Sequence, residues 1–72
     1  MNFQEMLILA EKYKEKGEMS SSAQLCIKDA KACYKQGAFE SAKRWLQKSL
    51  AYSVGFSHPD YIAAKGDKNV RP

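Results

Sequence analysis

Three blocks of apolar residues at helical spacing, each ended by one glycine, constrain this 72-residue chain most strongly. Within each block, apolar side chains recur every three or four residues, which is the repeat of one face of an α-helix. Gly17, Gly37 and Gly55 follow the blocks, and glycine readily takes the left-handed conformation that ends a helix. No block alternates with the two-residue period of a strand. The sequence therefore predicts an all-α protein.

The three blocks predict an antiparallel three-helix bundle, because turns of one to three residues at the first two glycines fold consecutive helices back on each other. A serine run before the second block supplies a helix cap. Small residues alternate with large ones on the apolar stripes, which suits closely packed helices, with Phe39 and Trp45 as bulky fillers. The predicted helices cover residues 2–16, 19–36 and 38–54, and the small residues are Ala23, Ala30, Ala42 and Ser49.

The segment "SHPDYIAAKG" predicts a short fourth helix over residues 59–65. Ser57 or His58 can cap it, and proline suits its first position. The helix dipole favours the negative charge of the aspartate in its first turn. We expect Tyr61 and Ile62 to anchor this helix on the bundle and Gly66 to stop it. Residues 1–66 then form a single domain, and residues 67–72 a frayed tail.

The tripeptide His58-Pro59-Asp60 also resembles the signature loop of J-domain co-chaperones, which follows a basic helix. In that family the loop joins two long antiparallel helices. Only 12 residues follow Asp60 here, and they include Gly66 and Pro72. We therefore interpret the tripeptide as a capped helix start.

A second resemblance lies in "AKACYKQGAFESAKRWLQKSL", residues 30–50, which is similar to the centre of a tetratricopeptide repeat. That motif is a helix, a tight turn and an antiparallel helix, with small and aromatic residues at set positions. The matching residues are Ala30, Cys33 in place of the usual tyrosine, Gly37, Phe39, Ala42, Leu46 and Ser49. Asp29 departs from the pattern where leucine is usual, and Val54 where proline is usual.

The resemblance covers one repeat, residues 23–54, with a half-repeat before it. Gly17 and Gly37 are 20 residues apart, whereas the repeat period is about 34 residues. The first helix would therefore act as the trailing half of a preceding repeat. Because one repeat cannot bury its own faces, self-association or docking on a larger partner is expected. An unrelated three-helix bundle is the alternative.

The composition is that of an ordinary folded protein, with 44% hydrophobic and 28% charged residues. Cys26 and Cys33 lie seven residues apart on one predicted helix, about 10 Å along its axis, which is too far for a disulfide. We expect them to be buried thiols in a reducing compartment. The N-terminal apolar run is too short for a signal peptide or a membrane span, so we expect a cytoplasmic protein without a membrane partner.

Positive charge is concentrated in the middle of the chain. Residues 21–55 carry six basic and two acidic side chains. Their net charge of +4 equals that of the whole sequence. The resemblance implies that the second helix lines a binding groove, where a basic face would capture an acidic segment of a partner protein. The predicted contact residues are Gln24, Lys28, Lys31, Tyr34 and Lys35, and a secondary basic face comprises Lys43, Arg44 and Lys48.

These patterns favour a small protein–protein interaction module, acting as an adaptor, a chaperone-like subunit or an inhibitor. The alternative is a small basic bundle that uses the same lysines and Arg44 to bind nucleic acid, and a merely solvated basic face is the blandest interpretation. Acidic residues are interleaved with the basic ones, which disfavours nucleic acid. With one histidine and no phosphate-binding loop, the sequence predicts no enzyme, no metal site and no cofactor.

Aromatic residues near the end of the third helix admit two interpretations. Tyr52, Phe56 and Tyr61 could form an exposed patch for a partner. We favour the other interpretation, in which they attach the C-terminal segment to the bundle.

Overall fold

The computed structural model describes residues 2–65 and contains four helices, with no strand in that range. The helices are α1 (Phe3–Glu15), α2 (Ser21–Lys35), α3 (Phe39–Val54) and α4 (Pro59–Lys65). The prediction of an all-α protein with three main helices and a short terminal one is confirmed. The predicted stop at Gly66 and the predicted frayed tail, residues 67–72, lie outside the described residues.

Side chains cap the starts of three helices. At α1, the Asn2 side chain accepts a hydrogen bond from the Glu5 backbone N–H (2.8 Å) and the Glu5 carboxylate accepts one from the Asn2 N–H (3.0 Å). Ser20 Oγ accepts from the Ala23 N–H (3.2 Å) at α2. At α4, His58 Nδ1 accepts from the Asp60 N–H (3.0 Å). These acceptors satisfy N–H groups that have no partner inside the helix, and the histidine of the tripeptide is thus a helix cap.

Gly17 and Gly37 make the two tight turns of the bundle, with φ angles of 75° and 87°. At each turn the residue after the glycine bonds back to the third-last helical carbonyl, as in Ala38 N–H to Cys33 O (2.9 Å). This pattern requires the glycine in the left-handed conformation. The turns make the helices antiparallel, so that Phe3 at the start of α1 meets Tyr34 near the end of α2.

Helix α3 is the centre of the bundle, since it packs against all three other helices and most extensively against α2. Leu46 and Leu50 on α3 are fully buried, and the small residues opposite them let the backbones approach closely. Ser49 Oγ, also buried, donates a hydrogen bond of 2.8 Å to the Ala23 carbonyl. The small buried residues on the helices that face α3 are Ala10, Ala23, Ala30 and Ala64, and α3 itself buries Ala42 and Ala51.

The structure corrects part of the predicted core. Phe39 is 53% exposed, because it begins α3 and packs edge-on against Tyr34 at the end of the bundle, where no further element of residues 2–65 covers it. Trp45 is half-buried at the edge of the core. Ile62, predicted to anchor α4, is also 53% exposed, and Ala64 is buried in its place. The predictions that Phe39 fills the core and that Ile62 anchors α4 were therefore wrong.

The aromatic residues near the end of α3 do not behave as one group. Tyr61 packs against the core, as expected of a residue that attaches α4. Phe56 contacts the Tyr61 ring edge-on (centroids 5.4 Å apart) but stays largely exposed, as does Tyr52. The favoured interpretation holds for Tyr61 and, through its contact with that ring, in part for Phe56. Phe56 and Tyr52 also leave an exposed aromatic surface.

Side-chain hydrogen bonds from α1 and α3 hold α4 in place. The Tyr13 hydroxyl of α1 donates a hydrogen bond to Asp60 Oδ2 of α4, and Gln47 Nε2 of α3 donates one of 3.3 Å to the Ala64 carbonyl. The hydrogen bond to Asp60, with burial as the next cause, raises the pKa of Tyr13 to about 12. No local sequence pattern indicates the contact between Tyr13 and Asp60, which are 47 residues apart.

Leucines in opposite environments test the position of the core. Leu46→Ala should lower the free energy of unfolding by about 2–5 kcal/mol, because it empties a fully buried site. Leu25→Ala should change it by less than about 0.5 kcal/mol, because Leu25 is exposed. Urea denaturation followed by circular dichroism measures both. Equal losses in the two variants would contradict the packing described.

Tyr13→Phe tests the contact between α1 and α4. At neutral pH it should cost about 1–2 kcal/mol, since Asp60 loses its hydroxyl donor. The raised pKa means that this stabilisation is complete below pH 10 and is lost as the pH rises through about 12. The difference from the wild type should therefore shrink across that range.

Urea denaturation of the wild type and of Tyr13→Phe across that pH range measures the difference, and the comparison cancels the lysines that titrate in both proteins. Tyr52→Phe, which changes an exposed tyrosine, is the control. A pH-independent difference between Tyr13→Phe and the wild type would show that the hydroxyl does not bond to Asp60.

Candidate functional site

An open groove of about 580 Å³ runs between α1 and α2. It exists because these two helices contact each other little, while each packs on α3. Three of the five predicted contact residues line it, namely Gln24, Lys28 and Lys31. The other side chains at the groove include Lys14, Ser21 and Leu25.

The groove is cationic and is lined by two apolar side chains, the exposed Leu25 and the buried Ile27. Lys31 Nζ lies 2.8 Å from Glu11 Oε2, an exposed ion pair of the kind that contributes about 1 kcal/mol or less. Within residues 2–65, Lys14 and Lys28 have no such carboxylate partner. Leu25 is 59% exposed, so its side chain is available to a ligand. Two free ammonium groups beside an exposed leucine suit a ligand that carries both carboxylates and an apolar side chain.

Gln24 has a structural contact as well as a place in the groove. Its side-chain Nε2 donates a hydrogen bond of 3.1 Å to the Met19 carbonyl, in the segment between α1 and α2. This bond fixes the amide at the mouth of the groove, which leaves the flexible lysines as the groups that can adapt to a ligand.

The other two predicted contact residues lie outside the groove. Tyr34 stacks on Phe3 (centroids 4.2 Å apart) and meets Phe39 edge-on (5.0 Å) at the end of the bundle. Lys35 is the last residue of α2, one helical turn beyond Lys31, and is exposed there. The five predicted residues thus share a helix but do not form one site.

The secondary basic face is also divided. Arg44 and Lys48 line a depression of about 240 Å³ with Ser41 and Trp45, where Lys48 Nζ lies 4.9 Å from the centre of the Trp45 ring. The same two cations line a neighbouring groove of about 260 Å³ toward α4. Lys43 is half-buried and lines neither.

Two residues that line the α1–α2 groove, Leu25 and Lys14, were not predicted from the sequence, and neither was the Glu11 carboxylate that pairs with Lys31 beside it. Leu25 was detectable in principle, because it is a large apolar residue off the buried stripe of α2. Lys14 and Glu11 belong to α1, and nothing local in the sequence places them opposite α2. Their positions depend on how both helices pack on α3.

The described residues offer no group of three His, Cys, Asp or Glu side chains placed to share a metal ion. Within the same range, none of the helices has the length and apolar character needed to cross a membrane. Comparison with known proteins gave no match to a protein-family model, a curated protein or a solved structure. The resemblance to a tetratricopeptide repeat therefore stays a prediction from the sequence pattern.

The two thiols are free and differ in access. Cys26 is buried, and that burial raises the pKa of its thiol, whereas Cys33 is half-buried.

A thiol reagent should label Cys33 first and Cys26 only as the protein opens, because the thiolate is the reactive form. Time-resolved mass spectrometry measures the order, with Cys33→Ser as the control that leaves one slow thiol. Rapid labelling of Cys26 in native protein would contradict its burial.

Proposed function

We propose that this chain is a small protein–protein interaction module that binds an acidic segment of a partner protein in the groove between α1 and α2. It would act as an adaptor, a chaperone-like subunit or an inhibitor. The observation that supports this proposal is that Lys14 and Lys28, without carboxylate partners in the described residues, converge beside the exposed Leu25. A carboxylate-rich segment with one apolar side chain is complementary to that arrangement.

The ion pair between Lys31 and Glu11 at the edge of the groove allows a carboxylate of the partner to take the place of Glu11. Lys31 and Glu11 are both exposed, so separating them costs little. A carboxylate of the partner can replace Glu11 on Lys31, which adds a third cation to the site without changing the fold. Charge-assisted hydrogen bonds of this kind contribute more than neutral ones.

The groove suits a peptide better than nucleic acid. Among residues 2–65, its lining contains no aromatic side chain on which a base could stack, and Glu11 pairs with Lys31 beside it. Non-specific nucleic-acid binding depends on phosphate contacts and weakens steeply with salt. A peptide held partly by Leu25 should be less sensitive to salt.

Capture of a partner by the tagged full chain, from nuclease-treated lysate of the source cell at two salt concentrations, tests this proposal. The partner identified by mass spectrometry is then purified for calorimetry. A Lys14→Ala/Lys28→Ala/Leu25→Gln variant should weaken its binding at least about tenfold, because it removes two cations and the apolar contact. Glu11→Gln should strengthen binding, because it frees Lys31.

The matched control is Lys35→Ala/Lys43→Ala, which removes two positive charges outside the groove. This control should bind the partner as the wild type does. Unchanged binding by the groove variant, or equal loss in the control, would show that the groove is not the site. If the captured partner disappears after nuclease treatment, the function would be nucleic-acid binding instead.

A further inference from the structure

Two surfaces away from the groove have opposite charge and exposed apolar centres. The first, called the α1 face, is the side of α1 turned away from the core. Ile8 is 67% exposed at its centre, with half-buried Leu9 beside it, in an open hollow of about 450 Å³. Three carboxylates and one ammonium group surround it, from Glu5, Glu11, Glu15 and Lys12.

The second surface, called the α3–α4 face, is basic and aromatic. Arg44 and Lys48 line it, and no acidic side chain of residues 2–65 does so. Phe56 is 68% exposed there, next to exposed Tyr52 and half-buried Tyr61. Exposed aromatic rings together with arginine are enriched where proteins bind other proteins.

We propose that the α1 face of one copy of this chain binds the α3–α4 face of a second copy. The side chains that line the α1 face carry a net charge of −2, and those that line the α3–α4 face carry +2. Ile8 would insert between the aromatic side chains of Tyr52 and Phe56, while the glutamates meet Arg44 and Lys48. The contact neutralises both charge sets and removes the most exposed apolar side chains of each face from water.

A second copy is the occupant because a single chain carries both complementary surfaces. The two faces share no residue, so one copy can use both at once. A chain of this size has a small core and gains stability from association. The α1–α2 groove is lined by other side chains, although Lys31 of the groove pairs with Glu11 of the α1 face.

The experiment uses the full chain in sedimentation velocity over a range of concentrations. Variant A, Ile8→Lys/Glu15→Lys, changes only the α1 face, and variant B, Arg44→Glu/Phe56→Glu, changes only the α3–α4 face. All four side chains are exposed, so both variants should keep the circular dichroism of the wild type. The wild type should associate, and each variant alone should dissociate at least about tenfold more readily.

Mixing the two variants gives the decisive result. Variant A keeps an intact α3–α4 face and variant B an intact α1 face, so an equimolar mixture should form a heterodimer although neither variant associates alone. The groove variant Lys14→Ala/Lys28→Ala/Leu25→Gln should associate as the wild type does, which separates this proposal from the proposed function.

Four results would overturn the proposal. They are a wild type that stays monomeric at every concentration, variants that still associate, a mixture that does not recover the complex, and association that nuclease abolishes. The last result would show that the α3–α4 face binds nucleic acid and that the nucleic acid, rather than a direct contact, links the two copies.

Discussion

The close packing of α3 against its neighbours is the constraint on which the rest of this structure depends. Leu46 and Leu50 of α3 are fully buried, and the Ser49 hydroxyl donates a hydrogen bond to the Ala23 carbonyl of α2. Because α1 and α2 both use their apolar stripes to reach α3, they are held side by side with little direct contact. The groove between them is a consequence of that arrangement, and so is the outward orientation of its lysines.

The same arrangement leaves a small chain with more apolar surface than its core can cover. Ile8, Leu25, Tyr52 and Phe56 are exposed on different sides of the bundle, each close to charged side chains. In a chain of 72 residues the ratio of surface to volume makes some exposure unavoidable. Here the exposed apolar residues coincide with grooves of defined charge. That coincidence is the observation from which the binding function is proposed.

Helix α4 shows how few contacts hold a short element. A helix of seven residues is not stable by itself, and only Ala64 of α4 is buried. Its position depends on the Tyr13 hydroxyl, the Gln47 amide and the His58 cap, together with the contact of Tyr61 with the core. Since Tyr61 also borders the α3–α4 face, these contacts determine the shape of that face.

The sequence by itself determined the helices, their order and the faces of each helix, because helical periodicity, glycine turns and caps such as Ser20 and His58 are local. For the same reason it placed Gln24, Lys28 and Lys31 together. Only the tertiary structure decided that Phe39 and Ile62 are exposed, that Tyr34 lies at the end of the bundle, that Lys14 joins the groove, and that Tyr13 meets Asp60. Periodicity gives a residue's angle on its own helix, whereas these outcomes depend on which helix lies opposite and where that neighbour ends.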